Sequence, residues 1–93
     1  MKKINWRNAV EIRGIKTNSI RVVVYGGITV LDAKVAAVVA ALQAKCPGLQ
    51  AAPKATWELL RDSDRNMDCM VLTLLGDGPA AFRAIHQLKG LTA

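Results

Sequence analysis

Two apolar runs of strand character, Ile20 to Tyr25 and Met67 to Leu75, each lead into a stretch whose apolar residues recur at helical spacing. Val, Ile and Leu in such runs pack well on a pleated surface, and a helix after each strand covers one face of the resulting sheet. The repeated strand-to-helix order therefore predicts an antiparallel sheet with two helices on one face. Ninety-three residues suffice for one core of this kind and not for two. With 52% apolar and 22% charged residues the chain belongs among folded globular domains rather than disordered ones. Only Trp6, Tyr25, Trp57 and Phe82 are aromatic, so the core must be mostly aliphatic, and such a core in a short chain leaves apolar surface that self-association can cover.

The remaining elements follow from local pattern. Residues 1–8 read as a basic arm ahead of a single domain, 9–93. Ala9 to Ile15 alternates, with Val10 and Ile12 on one face and Glu11 and Arg13 on the other, which predicts a half-buried strand. Lys16-Thr-Asn-Ser19 suits a hairpin turn, after which Ile20 to Tyr25 forms a central strand. Gly26-Gly27 interrupts it. Thr29 followed by Asp32 resembles a capping box, and Leu31, Val35, Val38 and Leu42 form one helical stripe up to Cys46-Pro47-Gly48. Leu49 to Lys54 reads as an irregular crossing, Ala55 to Arg61 as a strand and Asp62 to Asn66 as a polar turn before Met67 to Leu75. Gly76-Asp77-Gly78-Pro79 opens a last helix, predicted to bury Phe82, Ile85 and Leu88. The order is ββαββα: an α+β chain with a four-stranded antiparallel sheet and two helices on one face. It corresponds to a ferredoxin-like α/β-sandwich whose last strand has moved to the front of the chain, with completion of the sheet by a partner subunit as an alternative.

Residues 1–21 hold six basic residues, Lys2, Lys3, Arg7, Arg13, Lys16 and Arg21, against Glu11 alone, whereas the remaining 72 residues hold seven basic and six acidic groups. Basic side chains on a two-stranded ribbon can follow phosphates, with Trp6 available to stack on a base, and the same charges on an edge strand also discourage aggregation. Gly26, Gly27 and Thr29, at a strand-to-helix turn, could present backbone N–H groups to an anionic ligand or could serve only to make the turn tight. On the sheet face away from the helices, Val23, Tyr25 and Trp57 are the candidate interface anchors.

Chemistry of other kinds has little to stand on. His86 lacks a neighbouring base or nucleophile in the sequence pattern, and Cys46, Cys69 and His86 lack the paired spacing of a zinc site. Asp62, Asp64 and Asp68 lack the glycine and terminal glutamate of an EF-hand loop. Neither Ser19 nor Ser63 sits in a nucleophile elbow. The reading is non-enzymatic, without cofactor or metal. Two cysteines read as reduced thiols, the basic start lacks the apolar stretch of a secretory signal, and Lys34 and Lys45 interrupt the longest apolar candidate for a membrane span. The expectation is a cytoplasmic protein that does not use a membrane.

The strand ending Val24-Tyr25-Gly26, the Val-rich helix from Val35 to Leu42, the Cys46-Pro47-Gly48 stop and the terminal Gln87-Leu-Lys-Gly-Leu91 together resemble ACT-like regulatory domains. More narrowly they resemble the YbeD-like family of small bacterial proteins. The basic N-terminal hairpin and the missing last strand depart from that plan. The resemblance implies a regulatory or interaction domain, with any small ligand held near the first glycine turn. The expected function is a self-associating regulatory or protein-interaction module, in all expectation a homodimer, with a nucleic-acid-binding protein and a small-ligand sensor as alternatives.

Overall fold

Val, Ile and Leu dominate the strands Ser19–Tyr25 and Met67–Leu75, which lie side by side at the middle of the sheet. The computed structural model describes residues 4–91. Lys2 and Lys3 of the basic arm lie outside the described residues. The elements are α1 (Trp6–Ala9), β1 (Val10–Lys16), β2 (Ser19–Tyr25), α2 (Leu31–Lys45), β3 (Gln50–Ala51), a 3-10 turn at Lys54–Thr56, β4 (Glu58–Asp62), β5 (Met67–Leu75) and α3 (Gly78–Leu91). The strands run antiparallel in the order β1-β2-β5, and both β3 and β4 pair with the far side of β5.

The described residues thus form a small α+β domain with an antiparallel sheet of five strands and three helices, against the four strands and two helices expected. Both additions have a physical reason. β4 covers β5 only from Met67 to Val71, so the free edge at Leu74 and Leu75 takes Gln50 and Ala51 as β3. At the other end of the chain, the segment read as a loose arm folds from Trp6 onward. The Ala9 N–H donates to the Asn5 carbonyl at 2.8 Å, and Trp6 and Ala9, three apart on one helical face, are both buried. Trp6 belongs to the core and is not presented for stacking on a base.

Period-two alternation sorts the sheet into two faces. Ile20, Val22 and Val24 of β2 and Met70, Leu72 and Leu74 of β5 meet the helices, where Leu31, Val35, Val38 and Leu42 of α2 supply the predicted stripe. α3 contributes Ala81, Ala84 and Ile85, while Phe82, expected inside, is 37% exposed. The small side chains face inward because α3 packs close over β1, β2 and α2.

The start of α3 is held by backbone. The Gly76 N–H donates to Asn18 O at 3.0 Å and the Gly78 N–H to Thr17 O at 3.3 Å, which docks the β5–α3 connection on the β1–β2 turn. Gly76 has φ +140°, and a Cβ on Gly78 would lie 1.9 Å from Lys16 O and 2.4 Å from Ser19 O. Asp77 caps the helix, its Oδ1 accepting the Ala80 N–H at 3.0 Å.

Candidate interaction surface

The face of the sheet turned away from the helices was expected to offer Val23 and Tyr25 to a partner. Instead the chain covers both itself. Val23 is 0% and Tyr25 1% exposed, in a second apolar cluster with Cys69 and Val71. The cover is charged. Arg65, in the β4–β5 turn, lays its guanidinium over the Tyr25 ring, 4.2 Å from its centroid, and pairs with Glu11 of β1. The Tyr25 hydroxyl donates to Glu11 Oε2 at 3.2 Å. Farther along, Arg21 of β2 reaches over β5 to Glu58 of β4 at 3.0 Å.

Each exposed pair contributes little on its own, about 0–1 kcal/mol. Their joint effect is to lay aliphatic stems and planar guanidinium groups over an apolar strip. Burial raises the Tyr25 pKa above that of an ordinary tyrosine, with Glu11 adding to the shift and the Arg13 hydrogen bond opposing it. Burial likewise raises the Cys69 thiol. Cys46 and Cys69 are both free. The third expected anchor, Trp57, is half-buried against the main core, and its Nε1 donates to Ala52 O at 2.9 Å. Sequence alternation placed Val23 and Tyr25 on this face but grouped Trp57 with them wrongly, and it carries no signal for a long side chain arriving from a turn forty residues away.

Exposed large apolar side chains stand elsewhere: Ile28 and Val30 in the connection before α2, Ile15 on β1, Leu75 at the end of β5, Phe82 on α3, and a group at the β4 edge of the sheet. The helices pack over β1, β2, β3 and β5. On β4, Leu59 is 53% and Leu60 46% exposed, and Met67 at the start of β5 is exposed beside them. Because side chains alternate, the two leucines point to opposite faces of the same strand, pairing with Met70 and Cys69 respectively.

The basic residues are divided. Arg7 sits on α1 and Arg13 and Lys16 on β1, all exposed, and among the described residues none of the three makes an ion pair. Arg21, grouped with them by sequence, is committed to Glu58. At the first glycine turn the Gly26 N–H is taken by Asp68 O at 3.1 Å, and Gly26 is buried under Lys34. Gly27 is exposed, with its carbonyl accepting the Val30 N–H at 3.0 Å. Thr29 does not cap α2: the cap position is Val30, without a side-chain hydrogen bond, because the 27–30 turn sets the helix start one residue later.

The other polar residues serve local structure. His86 stacks edge-on against Phe82, ring centroids 4.4 Å apart. Asp62 Oδ1 accepts the N–H groups of Asp64 and Arg65, and Asp68 pairs with Arg61. Among the described residues no three His, Cys, Asp or Glu side chains cluster as metal ligands would, and no helix is long and apolar enough to cross a membrane. A shallow groove of about 290 Å³ between α2 and α3 is lined by Lys45, Cys46, Arg83 and Gln87 among others. Compared with family models, curated proteins and solved structures, the chain gives no significant match.

Proposed function

We propose that the chain is a non-enzymatic interaction module of ferredoxin-like plan that self-associates as a homodimer in the cytoplasm and acts as a regulatory or protein-binding unit. The observation that supports this reading is the exposed pair Leu59 and Leu60 on the edge strand β4. Elsewhere the chain uses charged side chains to cover its own apolar sheet face, yet it leaves these two leucines open to water. Exposed apolar area beside an unpaired strand edge favours association with another polypeptide. The test is mass by light scattering at two protein concentrations. The expected result is a dimer whose fraction rises with concentration. A monomer at both concentrations overturns the reading.

A second reading rests on Arg7, Arg13 and Lys16, which are exposed and without ion pairs among the described residues. Such groups suit contact with nucleic-acid phosphates. That reading predicts a mass increase with a short duplex that fades as salt rises and is lost when the three residues are neutralised.

A further inference from the structure

We infer that β4 is the dimer contact itself, pairing antiparallel with β4 of a second copy so that two sheets join into one, with Leu59 on the two-fold axis. This rests on the self-association proposed above and specifies its surface.

The sheet has two edges, β1 on one side and β4 with the two-residue β3 on the other, and β1 and β4 are treated differently. β1 carries a bulge between Ile12 and Gly14, and its outward residues include Arg13, Gly14 and Lys16. Bulges and basic side chains are the usual means of keeping an edge from pairing. β4 pairs with β5 in unbroken register from Glu58 to Asp62 and has two leucines at its middle. Its outer edge is therefore straight, short and apolar at the centre.

Charge then selects the occupant and the register. Two copies joined by a two-fold axis normal to the sheet place residues of like orientation opposite one another, so the axis must pass through a residue position. An axis at Glu58 sets two glutamates face to face. At Leu60 it sets Glu58 against Asp62 twice, at Arg61 it sets two arginines together, and at Asp62 two aspartates. Like charges directly opposite are destabilising. An axis at Leu59 puts Leu59 against Leu59, Glu58 against Leu60, and Arg61 against Trp57, whose ring already lies within 5.9 Å of Lys54 Nζ. Of these registers it alone sets no like charges directly opposite one another. A second copy of this chain is thus complementary to β4 in one register.

The inference is tested on the full 93-residue chain with three measurements. The wild-type mass establishes whether dimers form. Leu59→Lys, at an exposed position, sets two ammonium groups on the axis and is expected to weaken the dimer by roughly a hundredfold or more. Far-UV circular dichroism checks that the variant keeps its fold, and Leu60→Lys serves as a second variant if it does not. Leu59→Cys is expected to give a reducible cross-linked dimer under mild oxidation, beyond any formed by the wild type, whereas Glu58→Cys, facing Leu60, is not. A monomeric wild type overturns self-association altogether. A folded Leu59→Lys that stays dimeric overturns the β4 contact while leaving self-association standing. A monomeric Leu59→Lys without a Leu59→Cys cross-link overturns the two-fold register.

Discussion

The two edges of the sheet differ in how they meet water. β1 is bulged, charged along its outward residues and backed by α1 and α3, and Ile15 is its one exposed large apolar side chain. β4 lacks such backing, and its charges stand at its ends, with Leu59 and Leu60 between them. Protection of an edge costs residues that could otherwise pack, so a small domain that protects one edge and leaves the other apolar has a use for the second. The same contrast explains why the basic residues cluster near β1: at that edge charge and bulge act together.

The largest expected effect comes from breaking the support of the β1 side. Gly78→Ala forces a methyl group against the carbonyl oxygens of Lys16 and Ser19, both main-chain atoms that cannot swing away. The expected loss of stability is about 3 kcal/mol, from overpacking at a rigid site. Urea denaturation reads the loss, and hydrogen exchange tells where it falls. If the edges are held independently, amides of β1 and β2 exchange faster while those paired between β4 and β5 keep their protection. Equal loss in both regions shows that the two edges open as one unit.

How far the sequence carried this picture depends on the range of the signals. The central strands, the α2 stripe from Leu31 to Leu42 and the polar turn read at Asp62 to Asn66 are local patterns, and the structure contains them, with Asp62 closing β4 and the turn itself at 63–66. β3 was not legible, because two residues have no period; they form a strand only because β5 outruns β4. Trp6 was misread because four helical residues bury it through contacts with distant α3. The sheet face bearing Val23 and Tyr25 was identified, but its cover by Arg65 joins positions 25 and 65 and has no local signature. For the same reason Leu59 and Leu60 looked like ordinary strand residues until the helix layer was seen to stop short of β4.

Arg65 ties the two edges together and gives the second effect in size. From the β4–β5 turn it reaches over Tyr25 to Glu11 and the Asn8 carbonyl on the β1 side. Arg65→Ala removes a cation–π contact and exposed ion pairs, an expected loss of about 1 kcal/mol. A readout specific to the site is available because Tyr25 is the sole tyrosine of the chain. Its pKa is raised chiefly by burial, and the Arg65 charge, which pulls it down, is the last of the causes. Because Arg65 lies over the ring, removing it uncovers Tyr25 and moves the pKa back toward the ordinary tyrosine value. The sign for stability follows. A raised pKa stabilises the fold below the unfolded tyrosine value of about 10, and that contribution is lost as pH rises through the folded value. Alkaline titration of the phenolate absorbance should therefore show Tyr25 ionising earlier in Arg65→Ala than in the wild type. An unchanged or later transition means that Arg65 does not shield this end of the sheet.

The smallest effect sharpens the contrast at the β4 end alone. Asp62 closes the β4–β5 turn by accepting the N–H groups of Asp64 at 3.0 Å and Arg65 at 3.2 Å. The Arg65 N–H is the first cause of its lowered pKa, with the Asp64 N–H and the Arg65 charge adding to it. A lowered carboxylate pKa stabilises the fold above the unfolded aspartate value of about 3.9, and the contribution disappears as pH falls through the folded value. Asp62→Asn keeps an acceptor oxygen in the turn but removes the charge. Its urea midpoint should lie slightly below that of the wild type near neutral pH, and the gap should close as acid protonates Asp62 in the wild type. A gap that stays constant from neutral to acid pH means that the oxygen's position, and not its charge, holds the turn. The β4 edge would then owe its register to turn geometry alone, in contrast to the charged and bulged β1.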